Sequence, residues 1–184
     1  MDPFGDHFVC CAKNGNTRRH NALRDAIFDV LLGGAIPAAK EVNVGNGQQR
    51  PADILLVAWE RGRDVAVDLT VTHPLGLTSQ PVIVKNAARH CHRAEAAKIA
   101  SEGDLCMRAG WGFAPAAFNP WGGTGATAGA LLHEVGKRAT AHLAGWPKQR
   151  RLREIHEGLP LTLAREVARQ LSLRNRVQDA CTGD

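Results

Sequence analysis

The stretch Arg50-Pro51-Ala52-Asp53-Ile54-Leu55-Leu56-Val57-Ala58-Trp59 decides the fold, together with Asp64-Val65-Ala66-Val67-Asp68-Leu69-Thr70-Val71 on the far side of Glu60-Arg61-Gly62-Arg63. Ala52 to Trp59 is a nearly continuous apolar run, and Asp64 to Val71 is rich in valine. Runs of this kind read as strands, and Glu60 to Arg63 is the hairpin turn between them. A strand apolar on both faces belongs in the middle of a covered sheet. Each strand also carries one carboxylate, Asp53 at the start of the first and Asp68 inside the second. An acid inside a valine-rich strand costs free energy unless it is paired or binds a cation. The hairpin allows the two acids to meet at one end of the sheet.

Working outward, Ala22, Leu23, Ala26, Ile27, Val30 and Leu31 recur at helical spacing, which predicts a helix over Arg18 to Leu32 stopped by Gly33-Gly34. Lys40 to Val44 alternates weakly as a first strand. Pro74 to Pro81 reads as a loop, and the alanine-rich Val84 to Ser101 as a helix ending at Gly103. Trp111 to Phe118 is a further strand, closed by Asn119-Pro120. Gly122-Gly123-Thr124-Gly125 lacks the Lys-Ser/Thr of a Walker loop and is a turn leading into a helix over Thr127 to Leu143. Pro147 and Pro160 predict boundaries of two last helices, Gln149 to His156 and Leu161 to Gln178. This order gives an α/β fold: one mixed sheet flanked by helices, with extra C-terminal helices.

With 184 residues, 44% hydrophobic and 22% charged, the composition is that of a globular domain with its own core. No apolar run approaches the roughly 18–20 residues that span a bilayer, and no basic-then-apolar leader opens the chain, so neither a membrane partner nor a secretory signal is expected. Tyrosine is absent, which excludes a tyrosine nucleophile. The formal charge of +5 favours polyanions, nucleic acid first among them. Between Lys148 and Arg176 eight basic residues face three acids. Arg165 and Arg169 lie one helical turn apart, and Arg18 and Arg19 begin the first helix. These four are the expected phosphate contacts, salt-dependent and indifferent to base sequence. Five cysteines without a leader suggest reduced thiols or a metal site. His90-Cys91-His92 reads as a surface cluster, since consecutive helix residues face different ways.

Two carboxylates converging on one point make a hard oxygen site suited to Mg²⁺ or Mn²⁺. Such an ion polarises a phosphate and lowers the pKa of an attacking water. Asp53 and Asp68 are therefore the candidate metal-holding and catalytic acids. No small-molecule cofactor is expected.

Several segments together resemble a known family. They are Gly5-Asp6-His7 with Cys11, Arg18-Arg19-His20-Asn21-Ala22-Leu23-Arg24-Asp25, Arg50-Pro51-Ala52-Asp53, Val67-Asp68-Leu69-Thr70-Val71 and Glu95-Ala96-Ala97-Lys98. Gly110-Trp111-Gly112-Phe113 before Pro115 and the Trp121-Gly122-Gly123 turn join them. Over residues 5–145 the chain is similar to the restriction-like PD-(D/E)XK endonuclease domain at the C-terminus of site-specific non-LTR retrotransposon polyproteins. The resemblance implies a restriction-endonuclease-like core over 18–145, preceded by a partial zinc-knuckle-like segment over 1–20. Basic C-terminal helices over 146–184 would pack on that core. It implies a metal-dependent DNA endonuclease that leaves 3′-hydroxyl and 5′-phosphate ends, nicking target DNA for integration. DNA and the reverse transcriptase domain of the same element would be its partners, and the nucleus its location.

The family's common lysine position, two residues after the second acid, is Thr70 here. Lys98 on the alanine-rich helix is the expected substitute, with Lys85 as its rival. The backbone carbonyl of Leu69 would add a metal ligand, and Asp25 on the first helix, or Glu41, a third acid. His7, Cys11 (or Cys10) and His20 would contribute to a structural Zn²⁺ site. Because of Thr70, two other functions stand beside the nuclease: a nucleic-acid-binding module without catalysis, and a docking domain for a reverse transcriptase.

Overall fold

A computed structural model of the protein describes residues 16–44, 49–73 and 89–181, with side chains over 17–43, 52–73 and 89–172. The loop over Pro74 to Pro81, Lys85, and the segment containing His7, Cys10 and Cys11 lie outside these residues, as do the side chains of Arg174 and Arg176.

The described residues form α1 (Asn16–Gly33), β1 (Ala38–Val44), β2 (Gln49–Glu60), β3 (Arg63–Val71), α2 (Arg89–Arg108), β4 (Gly112–Phe118), α3 (Ala126–Ala139) and α4 (Gly145–Cys181). The protein is α/β, with a four-stranded mixed sheet in the order β1-β2-β3-β4. The β1–β2 and β2–β3 pairs are antiparallel, while β4 returns parallel to β3 after α2. The two long apolar strands are thus the central ones, as their two-sided apolar character predicts. Their hairpin turns at Arg61 and Gly62, with φ of 54° and 83°. Left-handed backbone at both central positions matches the twist of the paired strands.

Alternation along β3 divides the core. Val65, Val67 and Leu69 join Leu23, Ile27 and Leu31 of α1, Leu131 and Val135 of α3, and Ile155, Leu159 and Leu163 of α4 in the larger cluster. Ala66 points the other way and packs with Cys106 of α2, Leu55 and Ala52. Asp68 shares the parity of Ala66, so successive side chains on opposite faces put its carboxylate on the side that α2 covers.

Three boundaries differ from expectation. The alanine-rich helix runs through Gly103 to Arg108; the glycine's cost of about 1 kcal/mol against alanine is too small to end a helix packed by its flanking turns. The helix after the glycine-rich turn stops at Ala139. The two predicted C-terminal helices are one, with Pro160 inside it. Proline removes one helical hydrogen bond, at a cost of about 3 kcal/mol. Ile155, Leu159 and Leu163 continue a single buried stripe across it, however. Pro160 is also a packing residue, since a Cβ built on Gly122 would lie 2.4 Å from the Cβ of Pro160.

Candidate active site

The β2–β3 pairing ends at Ile54 and Val67, one residue short of the two acids, whereas β3 stays paired with β4 through Val71 and Phe118. The sheet therefore forks at Asp53 and Asp68. At the fork, Asp53 Oδ2 accepts the Leu69 backbone N–H at 2.6 Å. His20, from α1, approaches the same oxygen through Nε2 at 3.0 Å, and the Leu69 carbonyl also at 3.0 Å. Its Nδ1 lies 3.4 Å from Asn21 Oδ1.

Asp68 is buried, with 8% of its surface exposed. Its Oδ2 lies 2.9 Å from Lys98 Nζ. At that distance the ammonium and the buried carboxylate form a close ion pair. Lys98 donates to Glu102 Oε1 at 2.8 Å. Thr70, where the resemblance leads one to expect a lysine, is half-buried on β3.

α2 delivers this lysine on a specific face. Cys91, Glu95, Lys98, Glu102 and Cys106 recur at three and four residues, one stripe of a helix. The two cysteines are fully buried at its ends, so burial of the stripe fixes the rotation of α2 and turns Lys98 toward β3. Glu95 fixes its position along the sheet. Only 4% exposed, its carboxylate accepts N–H groups of Ala117 at 3.3 Å, Thr127 at 3.1 Å and Ala128 at 2.9 Å. Thr127 and Ala128 open α3, so Glu95 caps that helix from another element and meets its positive dipole end. Gly125 makes room for it: a Cβ there would sit 2.2 Å from the carboxylate.

The environment divides the two acids. Burial first, then Glu102 and Asp53, raise Asp68 to about 6 against the opposing pull of the Lys98 ammonium. Burial also acts to raise Asp53, but the hydrogen bonds from His20 and the Leu69 amide outweigh it and hold Asp53 below the usual carboxylate range. The hydrogen bond to Asp53 raises His20 above its ordinary value against the opposing effect of burial. Burial works against the Lys98 ammonium, yet Glu102 and Asp68 hold it charged, with its pKa raised.

Of the residues expected at the site, the structure brings together Asp53, Asp68, Leu69 and Lys98. Asp25 does not join them. It accepts from Arg24 at 3.0 Å and from Lys40 at 3.1 Å on the flank of β1, where Arg24 also holds Glu41. Both expected third acids are thus engaged in a surface ion network. Among the described residues, no three His, Cys, Asp or Glu side chains converge to hold an ion. The donors at the fork are two carboxylates and the Leu69 carbonyl, all hard oxygens. They fit Mg²⁺, which is commonly held by one or two carboxylates and keeps several waters.

His20 occupies the acid fork, with its Nε2 directed at Asp53 and Leu69. Arg19 is buried, 3% exposed, so it is not a phosphate contact: it falls on the same stripe as Leu23, Ile27 and Leu31, the face that α1 turns to the core. Arg18 is exposed and pairs with Glu166 of α4 at 2.8 Å. Arg165 and Arg169 are exposed beside that pair. His90 and Cys91 are buried rather than superficial, and only His92 faces solvent. Sequence reasoning does not find Glu102, the capping function of Glu95, or the link from His20 to Asp53. The one available signal is the spacing of Glu95, Lys98 and Glu102 on a single helix face.

Comparison with protein-family models and with curated protein sequences finds no match to this chain.

Proposed function

We propose that this protein is a metal-dependent DNA endonuclease with a restriction-endonuclease-like core, of the kind that nicks target DNA for retrotransposon integration. The observation that carries this reading is the meeting of Asp53, Asp68 and Lys98 at the fork between β2 and β3, with the lysine arriving from a helix. When bound, Mg²⁺ or Mn²⁺ supplies Lewis-acid polarisation of the scissile phosphate and acidifies a water. Asp53, Asp68 and the Leu69 carbonyl would hold it. Asp53 is kept ionised by the Leu69 amide and His20, and Asp68 is the acid whose charge depends on pH near neutrality. Lys98 places a permanent cation beside Asp68, where it balances charge on a phosphate or on the attacking oxygen. Exposed Arg18, Arg165 and Arg169 flank the N-terminal end of α1 and supply phosphate contacts.

The test is nicking of supercoiled plasmid with Mg²⁺ or Mn²⁺, comparing wild type with Asp68→Ala. Metal-dependent nicking abolished in the variant supports the nuclease. A second reading, a nucleic-acid-binding module without catalysis, is favoured by one observation: Lys98 is already engaged by both Asp68 and Glu102. Salt-sensitive DNA binding without nicking would select it.

A further inference from the structure

Trp121 is 59% exposed, a large apolar surface left in water, and yet the turn that carries it is held from several sides. Asn119 Oδ1 accepts the backbone N–H of Trp121 at 3.0 Å and of Gly123 at 2.8 Å. Asn119 N–H donates to Gly123 O at 2.8 Å, and Gly122 N–H to Asn119 O at 3.0 Å. Gly122 adopts φ of 85° and lies against Pro160, leaving no room for a side chain. The His73 ring packs on the indole with centroids 5.0 Å apart and planes at 54°. An exposed indole on so constrained a turn is a preorganised contact surface, which binds with little loss of conformational freedom.

Its position relates it to the acid fork. His73 follows β3 and Trp121 follows β4, at the ends where Thr72 N–H donates to Phe118 O at 2.8 Å. Asp68 lies five residues before His73 on the same chain, about 17 Å at ~3.3 Å per residue. That is about five stacked base steps at ~3.4 Å each. The turn packs on α4, the helix that also carries Arg165 and Arg169. Pro160, which packs on Gly122, precedes Glu166 on α4 by about 9 Å of helix rise, and Glu166 pairs with Arg18. Arg165 and Arg169 are exposed further along the same helix.

We infer that Trp121, braced by His73, is a stacking platform for an unpaired nucleobase a few nucleotides from the scissile phosphate. The inference rests on the nucleic-acid reading above and specifies its substrate as DNA with an unpaired or displaced segment. A tryptophan face accepts any base, so the platform recognises unpairing rather than sequence. The chain's positive charge supplies the backbone contacts.

The experiment measures affinity of the full chain, with EDTA present, for a short labelled duplex and for the same duplex carrying an unpaired loop. Wild type, Trp121→Ala, Trp121→Phe and Trp146→Ala are compared. Trp146 is 68% exposed on the first turn of α4, so it controls for loss of an exposed indole in general. Base–aromatic stacking predicts that Trp121→Ala weakens looped-DNA binding by about ten-fold while duplex affinity is unchanged. Trp121→Phe should retain most of the preference, and Trp146→Ala all of it. Equal losses on both probes overturn the platform. So does no loss on either, the outcome expected if the indole docks a protein. If Asp68-dependent nicking persists in those cases, the nuclease reading survives. Absence of wild-type binding to both probes overturns the platform and the nucleic-acid reading together.

Discussion

Lys98 of α2 lies 2.9 Å from the Asp68 carboxylate on β3 and donates to Glu102 of its own helix at 2.8 Å. The lysine is turned to the sheet because Cys91 and Cys106 bury the stripe on which it sits. A cation is therefore available beside the acid pair although β3 itself offers only Thr70.

Replacing this lysine should separate fold from chemistry. Lys98→Met keeps the aliphatic stem and removes the charge. It should reduce nicking by roughly two orders of magnitude, the scale seen when one preorganised charge-stabilising group is removed, with a near-native circular dichroism spectrum. Lys98→Arg should not restore full activity, because a planar fork does not replace a point charge held between two carboxylates. Single-turnover nicking rates check both.

Asp68 should cost the fold stability at neutral pH. Its carboxyl is raised from 3.8 to about 6 by burial, so the folded state binds the proton more tightly than the unfolded one. Stability from this group is greatest below about pH 4 and declines as pH rises through 6. The loss is on the order of 2–3 kcal/mol once the group is ionised. Asp68→Asn should raise the melting temperature by several degrees at pH 8 and by little at pH 4.5. Mg²⁺ should stabilise wild type but not the variant. Calorimetry at both pH values, with and without Mg²⁺, reads all of this. A lower melting temperature for Asp68→Asn at pH 8 would mean that the Lys98 pair outweighs burial.

The His20–Asp53 contact stabilises the fold rather than costing it. His20 is raised by its hydrogen bond to Asp53, so its contribution is fully present below its unfolded value near 6.5 and is lost as pH rises through the higher folded value. Asp53 is depressed, so the pair also weakens in acid as pH falls through its folded value. His20→Ala should destabilise by about 1.5–3 kcal/mol at pH 6, the range for a hydrogen bond to a charged group, and by less at pH 9. Chemical denaturation at the two pH values measures the difference.

The central hairpin and α1 are legible in the sequence because their apolar spacing is strong and their breaks fall at Gly33-Gly34 and Arg61-Gly62, whereas β1, with its weak alternation, is legible mainly from its place before the hairpin. The acid pair is legible for a related reason: aspartate stands out in a valine-rich strand. Pro160 misleads because a local rule stops a helix at proline, while the stripe Ile155, Leu159 and Leu163 that carries α4 past it is a tertiary fact. Arg19 misleads because charge suggests solvent, although its spacing to Leu23 already puts it on the buried stripe. The pairing of Asp25 with Lys40, and of Glu95 with the first turn of α3, joins elements remote in sequence. Periodicity carries no record of such contacts.

Glu95 should be essential to the fold rather than to chemistry. It accepts three backbone N–H groups while almost fully buried, two of them from the start of α3. Glu95→Ala leaves those donors without their carboxylate and should cost about 2–4 kcal/mol. Gly125→Ala should destabilise comparably, because its Cβ would meet the same carboxylate at 2.2 Å. Thermal melts of both variants provide the check, and Glu95→Gln, which keeps one acceptor oxygen, should fall between wild type and alanine.

Arg165 and Arg169 should contribute to nucleic-acid affinity through phosphate charge alone. Both are exposed one turn apart on α4, beside the Arg18–Glu166 pair at 2.8 Å. Removing one phosphate-binding cation reduces the slope of log K against log salt by about 0.9 for duplex DNA. Arg165→Gln with Arg169→Gln should therefore flatten that slope by about 1.8 and weaken binding most at low salt, for every sequence tested. Arg19→Gln is the contrasting variant. Its buried guanidinium lies on the core-facing stripe of α1, so its loss should lower stability while leaving the salt slope of the folded fraction where it was. A salt titration of duplex affinity for both variants distinguishes surface arginines that meet phosphate from one that holds the helix to its neighbours.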